Sequence, residues 1–175
     1  MNEFKYIVGV TDEIQEGLNF WLTKARGYLN AYYQGNRENA KKTKFYRCMS
    51  KIDKFSEAIF EKSELIRGVV DDQNLLASIC IIEETTILYE DNYVDCLEIE
   101  SLTNSPWNTI KYPQYEKRKG AATSQIEGII KEARSKGISE ILKLFAVPEE
   151  KDFYQRIGFV ESNGSGEMIL DSNAV

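Results

Sequence analysis

Histidine is missing from all 175 residues, and that absence excludes much chemistry. Ser-His-Asp and Cys-His hydrolysis both need an imidazole base, so any general base here is a carboxylate, a perturbed lysine or water. Cysteine is scarce: Cys48, Cys80 and Cys96 are odd in number and widely spaced. They outline no disulfide framework. With neither histidine nor a CxxC pair, a zinc site has almost no ligands to draw on, so no metal is expected. Cys80, inside LLASICII, and Cys96, inside YVDCLEIESL, read as buried, inert thiols. No apolar run approaches the roughly 20 residues that cross a bilayer, and the opening MNEFKYIVGV lacks the charged-then-apolar pattern of a secretory signal. The expectation is an intracellular, cytoplasmic protein with no membrane partner.

What is present suits a globular chain. The content is 42% hydrophobic and 29% charged, and the length fits one domain over residues 1–175. A chain of this size buries about 70% of its unfolded surface. The net charge of −6 argues against broad nucleic-acid binding. One stretch departs from that balance. From Gln34 to Lys54, seven cations (Arg37, Lys41, Lys42, Lys44, Arg47, Lys51 and Lys54) face only Glu38 and Asp53. It is either a solvated segment or the rim of a cleft that attracts an acidic acceptor.

Hydrophobic periodicity sets out the elements. FKYIVGV (4–10) reads as a strand, and Thr11 is a good N-cap for a helix carrying Ile14, Leu18, Trp21, Leu22, Ala25 and Leu29 on one stripe. A shorter helix, with Phe55 and Ile59 inward, is expected from about Asp53 to Lys62. Strands follow at 65–71, 75–82 and 93–103, separated by the turns 72–74 and 90–92. Residues 104–116 hold two of the three prolines and read as a loop. Ala122, Ile126, Ile129, Ile130 and Ala133 form a helical stripe closed by Gly137, and the interior Gly128 points to close packing on a sheet. Then come a strand (140–147), a short helix opened by Pro148 and ended by Gly158, and a hairpin of 159–162 and 167–171 around the turn 163–166. The order is βααβββαβαββ. The class is α+β: a mixed, mostly antiparallel sheet flanked by helices, with one parallel βαβ step.

KRKGAATSQIEG (117–128) places three cations where a turn starts the helix. Taken alone it has two readings. Either bare N–H groups at the helix start hold an anion, or a solvated cluster precedes an ordinary cap. It is neither a nucleotide P-loop, since GxxxxGK[ST] is absent, nor a Rossmann turn, since GxGxxG after a strand is absent.

The element order, with this stretch after the fourth strand, resembles the GNAT superfamily of acyl-CoA-dependent N-acyltransferases. That family's phosphate loop reads Q/R-x-x-G-x-G/A, and Lys117-Arg118-Lys119-Gly120-Ala121-Ala122 matches it with Lys in first place. Its second signature, F/L-Y-x-x-x-G-F on a short helix, is met by Phe153-Tyr154-Gln155-Arg156-Ile157-Gly158-Phe159. One helix and one strand separate the two, as in the family. The close resemblance covers about residues 93–171. Asn104 stands where the family's fourth strand usually ends in an apolar residue, the loop 105–116 is long, and Val147-Pro148 replaces an Asn often found before the Tyr-bearing helix.

The resemblance implies an N-acetyltransferase with acetyl-CoA as co-substrate and a primary amine, on a small molecule or a macromolecule, as acceptor. The alternative on the same fold is a non-catalytic acyl-CoA-binding or regulatory protein. The backbone amides of about Arg118 to Thr123 would seat the coenzyme A pyrophosphate. Gly120 would permit close approach, Ala121 and Ala122 would keep side chains clear, and Lys117, Arg118 and Lys119 would add charge. Leu102, Thr103 and Asn104, at the end of the fourth strand, would also bind the cofactor, with a backbone N–H near Thr103 or Asn104 meeting the oxyanion. A protonated alkylamine, with a pKa of about 10.4, needs a base. LEIES offers Glu98 and Glu100 on one face of the strand, Glu98 being nearer the family's base position, with a water chain as the other option. Tyr154 would protonate the leaving thiolate or else serve as a core aromatic, a role expected more of Phe153. Trp107 and Asn108 either border the pocket or pack. GNAT-like folds often pair, so a homodimer is among the expected partners.

Overall fold

The structure, a computed structural model, describes residues 3–162 and 164–173. Seven strands lie in the order β1-β2-β3-β4-β5-β7-β6 in a mostly antiparallel mixed sheet. They are β1 (Lys5–Val8), β2 (Ile66–Val70), β3 (Leu76–Tyr89), β4 (Asn92–Asn104), β5 (Ile141–Phe145), β6 (Val160–Glu161) and β7 (Glu167–Asp171). The helices are α1 (Asp12–Tyr33), α2 (Lys44–Glu61), α3 (Pro106–Thr109), α4 (Ala121–Ser135) and α5 (Lys151–Ile157). The α+β class and the order read from the sequence hold, with α3 added inside the expected loop. The parallel step is the pairing of Leu97, Glu98 and Ile99 in β4 with Leu142, Lys143 and Leu144 in β5.

The chain divides into two compact units. The first comprises residues up to Cys80 together with Leu102–Gln125. Here Thr11 caps α1 by accepting from the Ile14 N–H, and α1 buries Ile14, Leu18, Trp21, Ala25, Tyr28 and Tyr33. The indole N–H of Trp21 donates to the Leu76 carbonyl of β3 at 2.7 Å. The helix expected from Asp53 in fact begins at Lys44, capped by Thr43, and takes up most of the basic stretch. Its inward stripe of Phe45, Cys48, Met49, Ile52, Phe55 and Ala58 is fully helical in spacing. Cations on the intervening positions hid it. The same unit starts α4, where Ala121 packs with Val69, Ala77, Phe4 and Tyr6.

The second unit comprises Ile81–Ser101 and the residues from Ile126 onward. β3 and β4 form a hairpin here, closed by Glu90 and Asp91 at positive φ. β3 runs seven residues beyond the expected end at 82 because EETTILY continues an in-out alternation. Gly137 at φ 71° follows α4, and Gly158 at φ 121° ends α5, both as expected. Gly128 is buried, in keeping with its close-packing role. β7 pairs antiparallel with β5 and with β6. Of the turn between β6 and β7, Asn163 lies outside the described residues; Gly164 and Gly166 have φ 76° and 92°.

Candidate active site

In the first unit the segment 117–124 is built as a held turn. The Asn108 side chain grips Arg118 from both sides: its amide donates to the Arg118 carbonyl, and its oxygen accepts the Arg118 N–H, each at 3.0 Å. The Arg118 guanidinium reaches Asp72 at 2.9 Å and also donates to the carbonyls of Tyr115 and Lys117. That bond and the guanidinium charge hold the Asp72 carboxyl below its ordinary range. Lys117 Nζ donates to the Ile110 carbonyl at 2.7 Å. Two of the three cations are thus engaged in shaping the turn. Because the Arg118 N–H is committed to Asn108, the amides left to face an anion begin after it, one residue later than the sequence implied.

Gly120 sits at φ 96°, a conformation that disfavours any residue with a Cβ. The nearest atom to a Cβ there is Phe4 Cε2 at 3.6 Å, so backbone conformation and not space demands the glycine. The first helical bond of α4 runs from the Ser124 N–H to the Gly120 carbonyl. The N–H groups of Ala121, Ala122 and Thr123 precede it and have no acceptor within the helix. Ala121 and Ala122 are buried, so their small size serves packing as much as clearance. Gln125, one turn on, is fully buried with neither amide atom hydrogen-bonded in the protein, a feature the helical stripe gave no sign of.

The end of β4 lies in the same unit and has every carbonyl taken. Lys51 Nζ of α2 donates to Leu102 O at 2.8 Å, Ser78 Oγ of β3 to Thr103 O at 3.2 Å, and Cys48 Sγ of α2 to Asn104 O at 3.4 Å. The Ser105 N–H donates to Ala77 O. Burial pushes the Cys48 thiol up to about 11, against the opposing effects of Thr103, Thr109 and Lys51. It is therefore a protonated donor at neutral pH and no nucleophile. Trp107 is wholly buried and packs against Phe20 and Trp21, with ring centroids 5.7 and 6.4 Å away. A surface groove on α1 and α2, lined by Ala25, Met49 and Ile52, is edged by the Arg37–Asp53 ion pair. Of the cations in the basic stretch 34–54 it holds Arg37, while none of the residues expected to bind the cofactor or act in catalysis lines it.

In the second unit, Glu98 lies half-buried on β4 and Glu100 is exposed. Lys143, opposite Glu98 in the β4–β5 register, stands 3.9 Å from its carboxylate and 3.7 Å from that of Glu167. Its ammonium lies 4.9 Å from the centre of the Phe145 ring. Lys143 was not singled out from the sequence, although parallel pairing of LEIES with ILKLF would place it there. Cys96, on the same face, is pushed up to about 11 by burial. Tyr154 is 6% exposed and meets Phe153 and Phe159 edge-on at 5.1 and 5.6 Å, while Phe153 is less buried. The expected division between these two aromatics is thus reversed: Tyr154 is the more enclosed.

The two units differ sharply in charge. The first carries sixteen Lys and Arg against twelve Asp and Glu, the second six against sixteen. Among the described residues no group of His, Cys, Asp and Glu is placed to hold a metal ion, and no helix is long and apolar enough to cross a membrane.

No family model matches the chain, and no curated protein matches it either. Solved structures do. A GCN5-related N-acetyltransferase from Anabaena variabilis ATCC 29413 superposes with a TM-score of 0.54 at 14% identity, over 91% of this chain and 32% of its own. This chain thus spans about a third of that protein. AtaT, solved with acetyl-methionyl-tRNAfMet, superposes with a TM-score of 0.50 at 9% identity, over 98% of this chain and 96% of its own. At such identities it is architecture that is shared: this chain has the fold of the GCN5-related N-acetyltransferases.

Proposed function

We propose that the protein is an N-acetyltransferase that moves an acetyl group from acetyl-CoA to a primary amine. The observation that carries this reading is the turn at Gly120, clamped by Asn108, which opens α4 with three N–H groups lacking helical acceptors in a chain of this fold. Such a turn stabilises a pyrophosphate through oriented backbone dipoles without a metal. Lys119 to Thr123 would form the seat, with Lys117 and Arg118 shaping it. Leu102, Thr103 and Asn104 would hold the acyl end.

In the transfer, the amine nitrogen bonds to the thioester carbon and the carbonyl electron pair moves onto oxygen. Collapse of that oxyanion breaks the C–S bond. The proton lost by nitrogen passes to Glu98, directly or through a water, with Glu100 as the exposed second carboxylate. Tyr154 returns a proton to the departing thiolate, a donor suited to the task because phenol stays protonated at pH 7. The products are the acetylated amine and free coenzyme A.

The acceptor we infer carries its amine on an anionic molecule. The basic first unit, rich in cations along α2, supports this, and AtaT, complexed with acetyl-methionyl-tRNAfMet, shows an anionic molecule of that kind bound on the same fold. The second reading is an acyl-CoA-binding protein without turnover; the enclosure of Tyr154 and the ion pairing of Glu98 favour it. Isothermal titration with acetyl-CoA, combined with thiol release over a panel of amines and aminoacyl-tRNA, separates the two. Turnover that falls about 10²- to 10⁴-fold in Tyr154→Phe, with acetyl-CoA affinity kept, supports the enzyme. Binding without turnover on any acceptor supports the binder, and absence of binding refutes both.

A further inference from the structure

We propose that the outer edge of β3, over residues 84–89, takes up an extended lysine- or arginine-bearing segment of a partner protein as an added strand. These residues lie in the second unit and take no part in the acetyl transfer described above. The direction of the hairpin's backbone groups carries the inference. β3 ends at Tyr89 and β4 starts at Asn92, with Glu90 and Asp91 between them at φ 49° and 66°. Positive φ at both central residues is the mark of a type I′ turn, whose flanking residues, here Tyr89 and Asn92, form a hydrogen-bonded pair. In that register Thr86 stands opposite Asp95, and the Thr86 hydroxyl does donate to the Asp95 carboxylate at 2.7 Å. Backbone direction alternates along a strand. The N–H and C=O groups of Tyr89, Ile87 and Thr85 therefore serve β4, and those of Leu88, Thr86 and Glu84 point away from it.

On that side β3 has β2 as its sheet neighbour, but only at its start. The Asp71 N–H donates to Leu75 O at 2.9 Å, closing the β2–β3 turn, and β2 is five residues long against fourteen in β3. Five residues span about five on an adjacent strand, so β2 runs out near Cys80. Among the described residues no strand lies beside Glu84, Thr86 and Leu88, and all three are exposed. Their N–H and C=O groups form a template for another chain. The sheet's two terminal strands are kept short, four residues in β1 and two in β6. Residues 84–89 have neither proline nor lysine to blunt them. Leu88 and Tyr93, opposite each other by the same count, are 63% and 80% exposed, an apolar pair beside the open edge. Charge selects the occupant. Residues 82–96 carry Glu83, Glu84, Glu90, Asp91 and Asp95 and no cation. A second copy of this chain would set acid against acid, whereas a basic strand meets opposite charge along its length. Main-chain bonds then supply affinity, and the alternate basic side chains specificity.

The experiment titrates the full-length protein with a synthetic heptapeptide, acetyl-Lys-Val-Lys-Thr-Lys-Val-Lys-amide, and follows amide hydrogen exchange residue by residue. In the free protein the amides of Glu84, Thr86 and Leu88 should exchange fast and those of Thr85, Ile87 and Tyr89 slowly. At about ten times its Kd the peptide should slow the first set about tenfold, with a weaker effect at high salt. A heptapeptide with glutamate in place of lysine, and the lysine peptide N-methylated at every residue, should leave those rates unchanged. Leu88→Pro removes an outward donor while sparing the bonds to β4, and should weaken binding of the lysine peptide about tenfold or more. If that variant fails to fold, the N-methylated peptide tests the same bonds from the ligand side. No slowing by the lysine peptide at about 1 mM overturns the proposal, as does equal slowing by its N-methylated or glutamate form. Slow exchange of Glu84, Thr86 and Leu88 in the free monomer also overturns it, because the edge would already be covered. If that slowing grows with protein concentration alongside dimers in sedimentation, the edge belongs to a second copy and the proposal falls.

Discussion

Replacing Gly120 with alanine separates a backbone role from a merely spatial one. The residue sits at φ 96°, and a Cβ there meets nothing closer than 3.6 Å. No clash is created; the cost is conformational, about 1–3 kcal/mol for a non-glycine residue held in so sparsely populated a region. In a chain of this length that corresponds to a fall in Tm of roughly 2–12 °C. If the turn relaxes to escape the strain, the N–H groups of Lys119 to Thr123 lose their common direction and the pyrophosphate loses its seat. Gly164 supplies the control: it also has positive φ (76°), with nothing within 4 Å, but lies in the turn between β6 and β7. Thermal unfolding and titration with acetyl-CoA on both variants decide the matter. Similar losses of stability are expected in the two, with a drop in affinity of about tenfold or more, or 1.4 kcal/mol, confined to Gly120→Ala. Lys117→Ala, which removes one cation and its bond to Ile110 O, should weaken binding less. Unchanged affinity in Gly120→Ala would refute the assignment of this turn as the pyrophosphate seat. Equal losses in Gly120→Ala and Lys117→Ala would refute the division of labour between backbone and charge.

Two further predictions concern the first unit. Within α1, Gly27→Ala should stabilise by about 0.5–1 kcal/mol through helix propensity, since nothing lies within 4 Å of the new Cβ. Gly17→Ala in the same helix should destabilise by about 1–3 kcal/mol, because its Cβ would fall 2.5 Å from Leu76 Cβ, and a Cβ cannot swing away; urea unfolding of both reads the opposite signs directly. Glu116 is held below the ordinary carboxylate range, chiefly by its hydrogen bond from Lys24 at 2.6 Å. Because its folded pKa is depressed, the pair contributes stability above the unfolded value of about 4.3, and that contribution is lost as pH falls through the lower folded value. Lys24→Met should therefore cost about 0.5–1 kcal/mol at neutral pH, with the difference from wild type closing at strongly acidic pH in denaturant titrations at several pH values. A difference independent of pH would show that packing and not charge carries the contact.

The sequence by itself determined the class of this protein, because the relevant signals are local. Period-3.6 and period-2 patterns, Thr11 as a cap and glycines at helix ends identify most elements without knowledge of their neighbours. The motifs 117–122 and 153–159 are likewise contiguous stretches, legible as residue patterns before their neighbours are known. The start of α2 escaped because Lys44, Arg47, Lys51 and Lys54 interrupt an inward stripe that only burial makes plain. The tertiary structure decided which groups stand beside which. That Asn108 takes up the Arg118 N–H, that Lys143 sits between Glu98 and Glu167, and that Tyr154 is more enclosed than Phe153 all depend on strand register and helix docking between residues distant in sequence. Lys51 is the clearest case. It stands fifty-one positions before Leu102 in the chain, and only the packing of α2 on the end of β4 brings its ammonium to the Leu102 carbonyl. Side-chain chemistry is written residue by residue, but the field at a reacting atom is a sum over neighbours that the chain does not bring together until it folds.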